Sequence, residues 1–72
     1  MINRIMAKIQ INGRRISLNQ KINVFDLLKK YKLDKKKIAV ELNGVIVLKE
    51  SYKKKILKNN DKIEIVHFIG GG

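Results

Sequence analysis

Two Asn-Gly pairs place the strongest constraint on how this chain can fold. Asn12-Gly13 follows a segment of alternating apolar and polar residues, 5–11, and Asn43-Gly44 follows a similar segment, 38–42. Asn-Gly pairs favour the two-residue turns that join antiparallel strands, because both residues tolerate a positive φ. We therefore predict two β-hairpins, whose second strands cover residues 14–18 and 45–48.

One helix is predicted between the hairpins. Asn23 is a suitable N-cap, and Asp26 lies three residues later, where a carboxylate interacts favourably with the helix dipole. Apolar residues then recur at i, i+3, i+4 and i+7, which is typical of a helix that buries one face. This face consists of Val24, Leu27, Leu28 and Tyr31.

The remaining sequence predicts a short helical turn and a last strand. Residues 51–57 are expected to direct Tyr52, Ile56 and Leu57 inward, and residues 62–68 form a fifth strand. The predicted order is β-β-α-β-β-short helix-β, an α+β fold in which one helix covers one face of a mixed sheet of about five strands. We predict one domain over residues 1–69 and a flexible tail over residues 70–72.

Composition excludes several kinds of site. The chain of 72 residues has no cysteine, which excludes disulfides, thiolate metal sites and cysteine nucleophiles. A chain this short buries only a small core, so we predict no deep, enclosed active site. The sequence has neither a signal peptide nor an apolar run that would span a membrane, and a soluble, cytoplasmic protein is predicted.

The net charge of +11 raises the alternative of nucleic-acid binding. The lysines are scattered over separate segments, however, and lysine greatly outnumbers arginine. A dedicated nucleic-acid surface combines arginines and stacking aromatics on one face. Three of the four aromatic residues are expected to be buried, which makes nucleic-acid binding the weaker alternative; the four are Phe25, Tyr31, Tyr52 and Phe68.

The C-terminus is the candidate functional site. Gly70, Gly71 and Gly72 follow the fifth strand without a linker. Glycine lacks the Cβ atom that would hinder passage through a narrow channel. The α-carboxylate of Gly72 is ionised at neutral pH and can act as an oxygen nucleophile. We predict that this carboxylate is the reactive group of the protein, and that Gly70 and Gly71 form the tail that delivers it.

Strand alternation also predicts a binding surface beside the tail. If Ile63 and Ile65 face the helix, then Val66 and Phe68 face outward and form an exposed apolar patch together with Ile69. Exposed apolar patches often mark interfaces. These three residues are therefore predicted to bind a partner protein. His67 falls on the same side of the strand as Ile63 and Ile65 and is assigned no role.

This arrangement resembles the ubiquitin-like β-grasp fold and, more narrowly, the ThiS family of sulfur-carrier proteins in thiamine biosynthesis. The closing block, residues 60–66 and 68–72, is the most specific part of the resemblance. Residues 9–13 and 40–47 resemble the two hairpins of the family. Leu48 stands where the family usually has proline, and Asn60 replaces a common glycine. Against the family pattern, residues 1–5 resemble an N-terminal extension, with Met6 as an alternative start.

The resemblance implies a reaction at the chain terminus. A partner adenylyltransferase of the ubiquitin-activating type would use ATP with Mg²⁺ to adenylate the Gly72 carboxylate. Sulfur from a persulfide donor protein would then displace AMP and give a Gly72 thiocarboxylate, which would pass its sulfur to thiazole synthase. The chain itself would be a carrier and a substrate, not an enzyme, and would need no metal or bound cofactor of its own.

Rival functions start from the same fold and tail. The small subunit of molybdopterin synthase is also a sulfur-carrying β-grasp domain, and a ubiquitin-like modifier would be joined to lysines of other proteins. Covalent attachment to cellular proteins would favour the modifier, whereas a free thiocarboxylate would favour a carrier. A basic nucleic-acid-binding domain would instead bind RNA or DNA with a steep salt dependence.

Overall fold

The computed structural model describes residues 5–68. Within this range the chain forms five strands, one α-helix and two short 3₁₀ helices. The strands are β1 (Ala7–Ile11), β2 (Arg14–Leu18), β3 (Ile38–Leu42), β4 (Val45–Val47) and β5 (Lys62–His67). The helix is α1 (Val24–Lys30), and the 3₁₀ helices cover Lys35–Lys37 and Lys49–Ser51.

The strands form one mixed sheet in the order β2-β1-β5-β3-β4. β1 and β5 are parallel, and the other neighbours are antiparallel. The buried side chains of α1 pack with those of the strands in a single core on one side of the sheet. The predicted α+β class and the predicted order of elements are therefore confirmed, and β5 lies in the centre of the sheet.

Both Asn-Gly pairs form the predicted turns. Asn12 and Gly13 have φ angles of 49° and 82°, and Asn43 and Gly44 have φ angles of 53° and 85°. Positive φ at both central residues is the mark of the type I′ turn, whose twist matches that of the strands it joins. Each turn thus fixes the register of its hairpin.

Helix α1 begins at the predicted cap. The Asn23 Oδ1 atom accepts a hydrogen bond from the Asp26 N–H at 2.7 Å, and the Asn23 N–H donates to Asp26 Oδ2 at 3.1 Å. These two bonds form a capping box, which satisfies backbone donors that the first helical turn would leave unpaired. Val24, Leu27 and Leu28 are buried as predicted.

The predicted helix face is wrong at Tyr31, which is 44% exposed. α1 ends at Lys30, and Lys32 adopts a left-handed φ of 56°. The Leu33 N–H then donates to the Leu28 carbonyl at 2.9 Å. This pattern terminates the helix and changes the direction of the chain. Half-buried Leu33 therefore packs against the core where the helical spacing had placed Tyr31.

Several predicted boundaries also differ from the structure. β1 begins at Ala7, β4 ends at Val47, and β5 ends at His67, each one or two residues inside the predicted limit. The second 3₁₀ helix shares only Ser51 with the segment 51–57 that was expected to be helical, and residues 52–57 belong to no helix. Ile56 forms an isolated bridge with Asn23 and is 36% exposed, so its predicted burial is wrong.

Among the aromatic residues in the described range, only Tyr52 is buried. Phe25 is half-buried, with the Lys53 and Lys29 ammonium groups 4.8 and 6.0 Å from its ring centroid. Phe68 is exposed, like Tyr31. The prediction that three aromatics are buried was therefore wrong, because a core of this size is filled by aliphatic side chains and a single ring.

No helix within residues 5–68 has both the length and the apolar character needed to cross a membrane.

Candidate functional site at the end of β5

The predicted reactive end lies outside the described residues. This applies to Gly70, Gly71 and Gly72 and to Ile69, one of the three predicted partner-binding residues. The structure describes the chain up to Phe68, which is the base to which these residues are attached. The site is therefore defined by how β5 and its surroundings hold this base.

β5 is bonded on both edges. On one side it pairs antiparallel with β3 as far as His67, and the Phe68 N–H donates to the Lys37 carbonyl at 2.9 Å. On the other side β1 pairs with β5 as far as Ile63, which lies opposite Ile11. A central strand with two neighbours provides a rigid base for the chain end.

The asparagines of both turns also bind β5. Asn12 Oδ1 accepts from the Ile65 N–H at 2.7 Å, and Asn12 Nδ2 donates to the Ile65 carbonyl at 3.1 Å. Asn43 Oδ1 accepts from the Lys62 N–H, and the Asn43 N–H donates to the Lys62 carbonyl, both at 2.8 Å. The sequence predicted the turns but not these contacts, which hold β5 at two points.

Asp61 fixes the start of β5, a role that its place in the turn-like sequence Asn59-Asn60-Asp61 did not predict. It is only 9% exposed, and its carboxylate accepts from the Lys58 N–H at 2.7 Å and from Asn43 Nδ2 at 3.0 Å. A buried carboxylate needs such donors, because losing its hydration is costly. The turn signal at this position could have suggested the Lys58 bond, since Asp commonly caps a nearby backbone N–H.

The backbone angles at the two positions that depart from the family pattern are ones that the family's usual glycine and proline also adopt. Asn60 has a φ of 71°, a left-handed conformation that asparagine tolerates better than most residues. Leu48 has φ −68° and ψ 145°, which are values that proline adopts. Leu48 and Asn60 are therefore compatible with the backbone that follows β4 and the backbone that precedes β5.

The two faces of β5 agree with the predicted alternation. Ile63 and Ile65 are buried on the side of α1, at 1% and 8% exposure. Val66 and Phe68 are 54% and 59% exposed, as the predicted patch requires. His67 lies on the same side of β5 as the buried isoleucines but is itself exposed. The partner-binding role of Val66 and Phe68 stays a prediction.

A surface that we call the outer sheet face lies beside Phe68, on the side of the sheet away from α1. Strand register identifies its members. Ala39 lies opposite Val66, and Glu41 lies opposite Glu64 on β5 and opposite Ile46 on β4. Phe68 itself lies near Lys49, whose ammonium group is 5.8 Å from the ring centroid. The outer sheet face thus consists of Ala39, Glu41, Ile46, Glu64 and Val66.

The chemical groups of the described part are few. Within residues 5–68, no group of three or more His, Asp or Glu side chains is placed to hold a metal ion. Burial raises the pKa of the Tyr52 hydroxyl above its ordinary value of 10.0. Tyr52 lies in the core, so this shift reflects packing. The described residues provide a rigid strand end beside an exposed apolar surface, a combination that suits protein docking.

Comparison with known proteins assigns the chain to a family. The family model of ThiS matches residues 4–72, which is nearly the whole chain and includes its glycine end. The chain belongs to the ThiS family. The resemblance predicted from the closing block and the two hairpins is thereby confirmed.

Individual ThiS proteins agree in both sequence and structure. The sulfur carrier protein ThiS of Bacillus subtilis is 42% identical over 65 residues, which cover 89% of this chain and 98% of the relative. The crystal structure of the thiamine biosynthesis protein ThiS from Geobacter metallireducens has a TM-score of 0.77 at 29% identity. That comparison covers 90% of this chain and 99% of the Geobacter chain.

The chain also matches part of larger proteins. A thiazole synthase of Paramagnetospirillum magneticum is 43% identical over 65 residues, and a thiazole synthase of Magnetococcus marinus is 37% identical over 65 residues. Each match covers 90% of this chain but only 20% of the thiazole synthase. The chain therefore spans about a fifth of the length of these relatives.

Proposed function

We propose that this chain is a sulfur carrier for thiazole formation in thiamine biosynthesis, with the Gly72 carboxylate as its reactive group. The observation that supports this most is the extent of the ThiS family match, which continues through the glycines to residue 72. The Bacillus subtilis relative, matched over 98% of its length, is itself a sulfur carrier protein.

The proposed chemistry has an activation step and a sulfur transfer. An oxygen of the Gly72 carboxylate attacks the α-phosphorus of ATP, and pyrophosphate leaves with the electron pair of the broken P–O bond. The terminal sulfur of a persulfide then attacks the carbonyl carbon, and AMP leaves. A thiol reduces the remaining S–S bond, which leaves a thiocarboxylate on Gly72 and a disulfide on the donor side.

Three partner proteins follow from this scheme. An adenylyltransferase of the ubiquitin-activating type supplies ATP and Mg²⁺, and a persulfide protein supplies sulfur. The acceptor is a thiazole synthase, which is supported by the presence of a matching segment within two thiazole synthases. A carrier segment that is joined to a thiazole synthase in one chain is well placed to contact it during sulfur transfer.

The folded domain provides the surface that partner enzymes bind while they act on the reactive end. Ordering a short glycine segment in a partner's active site costs about 1–2 kcal/mol per residue. Contacts between the partner and the folded surface offset this cost, because they form with groups that β5 already holds in place. Val66, Phe68 and Ile69 are the residues proposed to make these contacts, and no catalytic group of the chain itself is required.

Intact-mass analysis of the protein purified from its native cells tests the proposal. We expect a fraction of molecules in which one terminal oxygen is replaced by sulfur, and we expect that fraction to react with a thiocarboxylate-specific alkylating reagent. A variant with one additional, untrimmed residue after Gly72 is the matched control and should never carry sulfur.

Other outcomes would identify other functions. Covalent conjugates with cellular proteins, without free thiocarboxylate, would overturn the carrier assignment in favour of a ubiquitin-like modifier. A thiocarboxylate that supports molybdopterin synthesis, and not thiazole formation, would assign the chain to the molybdopterin pathway. Retention of sulfur delivery by the extended variant would exclude the Gly72 carboxylate as the reactive group.

A further inference from the structure

The sheet has two open edges, and β2 is the longer one. In the strand order β2-β1-β5-β3-β4 the outer strands are β2, with five residues, and β4, with three. An open edge presents unpaired backbone groups, which can bind the extended backbone of another chain. β2 is therefore the edge that offers more backbone to a bound strand.

Hydrogen bonding within the sheet identifies which groups of β2 face the open edge. The Gln10 and Asn12 N–H groups donate to residues of β5 and its start at 2.9 and 2.8 Å, so the residues of β1 that alternate with them face β2. Opposed residues of an antiparallel pair bond each other at every second position, and Ile16 is one that bonds to β1. Arg15 and Ser17 therefore direct their N–H and C=O groups outward. No hydrogen bond within residues 5–68 uses these groups.

Two open clefts lie between β2 and the C-terminal part of α1. Ser17 lines the first cleft and Ile16 lines the second, so the clefts adjoin along β2. We call the two clefts together the β2 groove. Tyr31, which is 44% exposed, presents its ring to the second cleft. The apolar lining of the β2 groove includes Leu18 and Ile22 in the first cleft, and Ile16, Tyr31 and Leu33 in the second.

Basic side chains border the β2 groove. Lys21, Lys29 and Lys30 line the first cleft, and Arg14 lines the second. Among the described residues of both linings, Asp26 is the one acid, and its carboxylate is already engaged in capping α1. The groove thus combines an apolar floor with a basic border, which is complementary to an apolar segment that carries acidic residues.

The same charges oppose pairing between two copies of this chain. Arg14 and Arg15 are adjacent on β2 and both are exposed, so a second β2 would bring its own arginines close to them. Charged side chains on an edge strand are a common means of preventing self-association. With a net charge of +11, the chain repels its own copies and attracts acidic partners.

We propose that β2 and the β2 groove bind an extended, acidic segment of a partner protein, which adds to the sheet as a sixth strand. Its backbone bonds the open N–H and C=O groups of Arg15 and Ser17. Alternate apolar side chains of the segment enter the groove, and its acidic side chains pair with the lysines at the border. Because β1 separates β2 from β5, the segment leaves the end of β5 at Phe68 uncovered. The inference goes beyond the proposed function and does not depend on it.

NMR titration of the ¹⁵N-labelled chain with a synthetic peptide tests the proposal. The peptide has nine residues, with two glutamates at each end and a centre that alternates valine with threonine. We expect the largest amide shifts at Arg15, Ile16 and Ser17. Hydrogen exchange of the Arg15 and Ser17 amides should become slower, because a paired edge protects them from solvent. A peptide with lysine in place of each glutamate is the charge control and should bind at least about tenfold more weakly.

The variant Ser17→Pro tests the backbone contacts. It removes one open N–H group, and proline is accepted where the N–H side of an edge strand faces solvent. We expect the Kd for the acidic peptide to rise about fivefold or more, because one backbone hydrogen bond is lost. Ser17→Ala keeps the N–H group and should change the Kd by less than about twofold.

The variant K29Q/K30Q tests the basic border without changing β2, and it keeps the test valid if Ser17→Pro does not fold. We expect the Kd for the acidic peptide to rise about threefold or more at low salt, because two ion pairs are lost. K35Q/K36Q is the matched control, since it removes the same charge from two exposed lysines that line neither cleft. Its Kd should change by less than about twofold.

Several results would overturn the binding site. Absence of amide shifts at about 1 mM peptide, or shifts centred away from β2, would exclude it. Equal binding of a single-stranded uridine oligonucleotide at the same amides would show a general anion-binding surface instead. Equal Kd values for K29Q/K30Q and K35Q/K36Q would show that net charge alone attracts the peptide.

Discussion

The side chain of Asn12 takes the place of a strand residue beside Ile65. Its Oδ1 atom accepts from the Ile65 N–H and its Nδ2 atom donates to the Ile65 carbonyl, although the two residues are 53 positions apart in the sequence. β1 ends at Ile11, opposite Ile63. One side chain thus extends the hydrogen bonding of the central strand towards the functional end of the chain.

Replacing Asn12 by glycine should test this contact without disturbing the turn. Glycine keeps the positive φ that the type I′ turn requires. Two hydrogen bonds are lost, each with a net value of about 0.5–1.5 kcal/mol. We therefore expect the free energy of unfolding, measured by urea titration, to fall by about 1–3 kcal/mol.

Asn60→Gly is the control for this prediction. Asn60 also has a positive φ, of 71°, but its side chain forms no hydrogen bond with residues 5–68. The same substitution should therefore change the stability by only a few tenths of a kcal/mol. Equal losses in the two variants would show that backbone freedom, and not the contact with Ile65, accounts for the effect.

The contrast between these asparagines shows what could be predicted from the sequence. The turn at Asn12-Gly13 and the cap at Asn23 depend on residues that are close in sequence, and both predictions were confirmed. The second role of Asn12 depends on where β5 lies in the sheet, which periodicity does not specify. Tyr31 was predicted wrongly for a related reason. The residue that terminates the helix by adopting a left-handed conformation is Lys32, and not the glycine that would mark such a position in a sequence.

The candidate site likewise has features that the sequence predicts and features that it does not. Alternation along β5 was sufficient to predict that Val66 and Phe68 are exposed. It could not predict that Glu41 lies opposite Glu64, because that relation requires the pairing of β3 with β5 across the sheet. The hydrophobic pattern predicted the order of elements, but neither it nor the resemblance to a family predicted that these two glutamates are paired.

Asp61→Asn should destabilise the start of β5. The carboxylate of Asp61 accepts from two donors, the Lys58 N–H and Asn43 Nδ2. An amide offers one acceptor oxygen and would place its own N–H groups against the second donor. A buried donor left without an acceptor costs about 1–3 kcal/mol, and we expect a loss of this size in urea titration.

Asp34→Asn provides the comparison for Asp61. The carboxylate of Asp34 accepts a single hydrogen bond, from the Lys36 N–H, and the residue is exposed. An asparagine oxygen can accept the same bond, so this variant should lose less than about 0.5 kcal/mol. If both variants were equally stable, the buried network at Asp61 would have no special importance.

Tyr52 should make the fold sensitive to alkaline pH. Burial raises the pKa of its hydroxyl above 10.0, so folding favours the protonated form. The stability contributed by this group is fully present below pH 10 and is lost as the pH rises through the higher pKa of the folded state. We expect Tyr52→Phe to be nearly as stable as the wild type at pH 7 and to lose less stability above pH 10. Urea midpoints measured for both proteins from pH 7 to pH 11 should diverge; parallel curves would contradict the prediction, since lysine titration is common to both.

Phe68→Ala should separate binding from folding. Phe68 is 59% exposed, and its described aromatic contact is with the Lys49 ammonium at 5.8 Å, an interaction worth about 0.5–1 kcal/mol at an exposed site. We expect the free energy of unfolding to fall by no more than about 1 kcal/mol, whereas the Kd for the adenylating enzyme, measured by calorimetry, should rise at least about tenfold. Phe68→Leu keeps an apolar side chain there and should retain most of the affinity. A loss of stability as large as the loss of binding free energy would instead place Phe68 among the residues that hold the fold together.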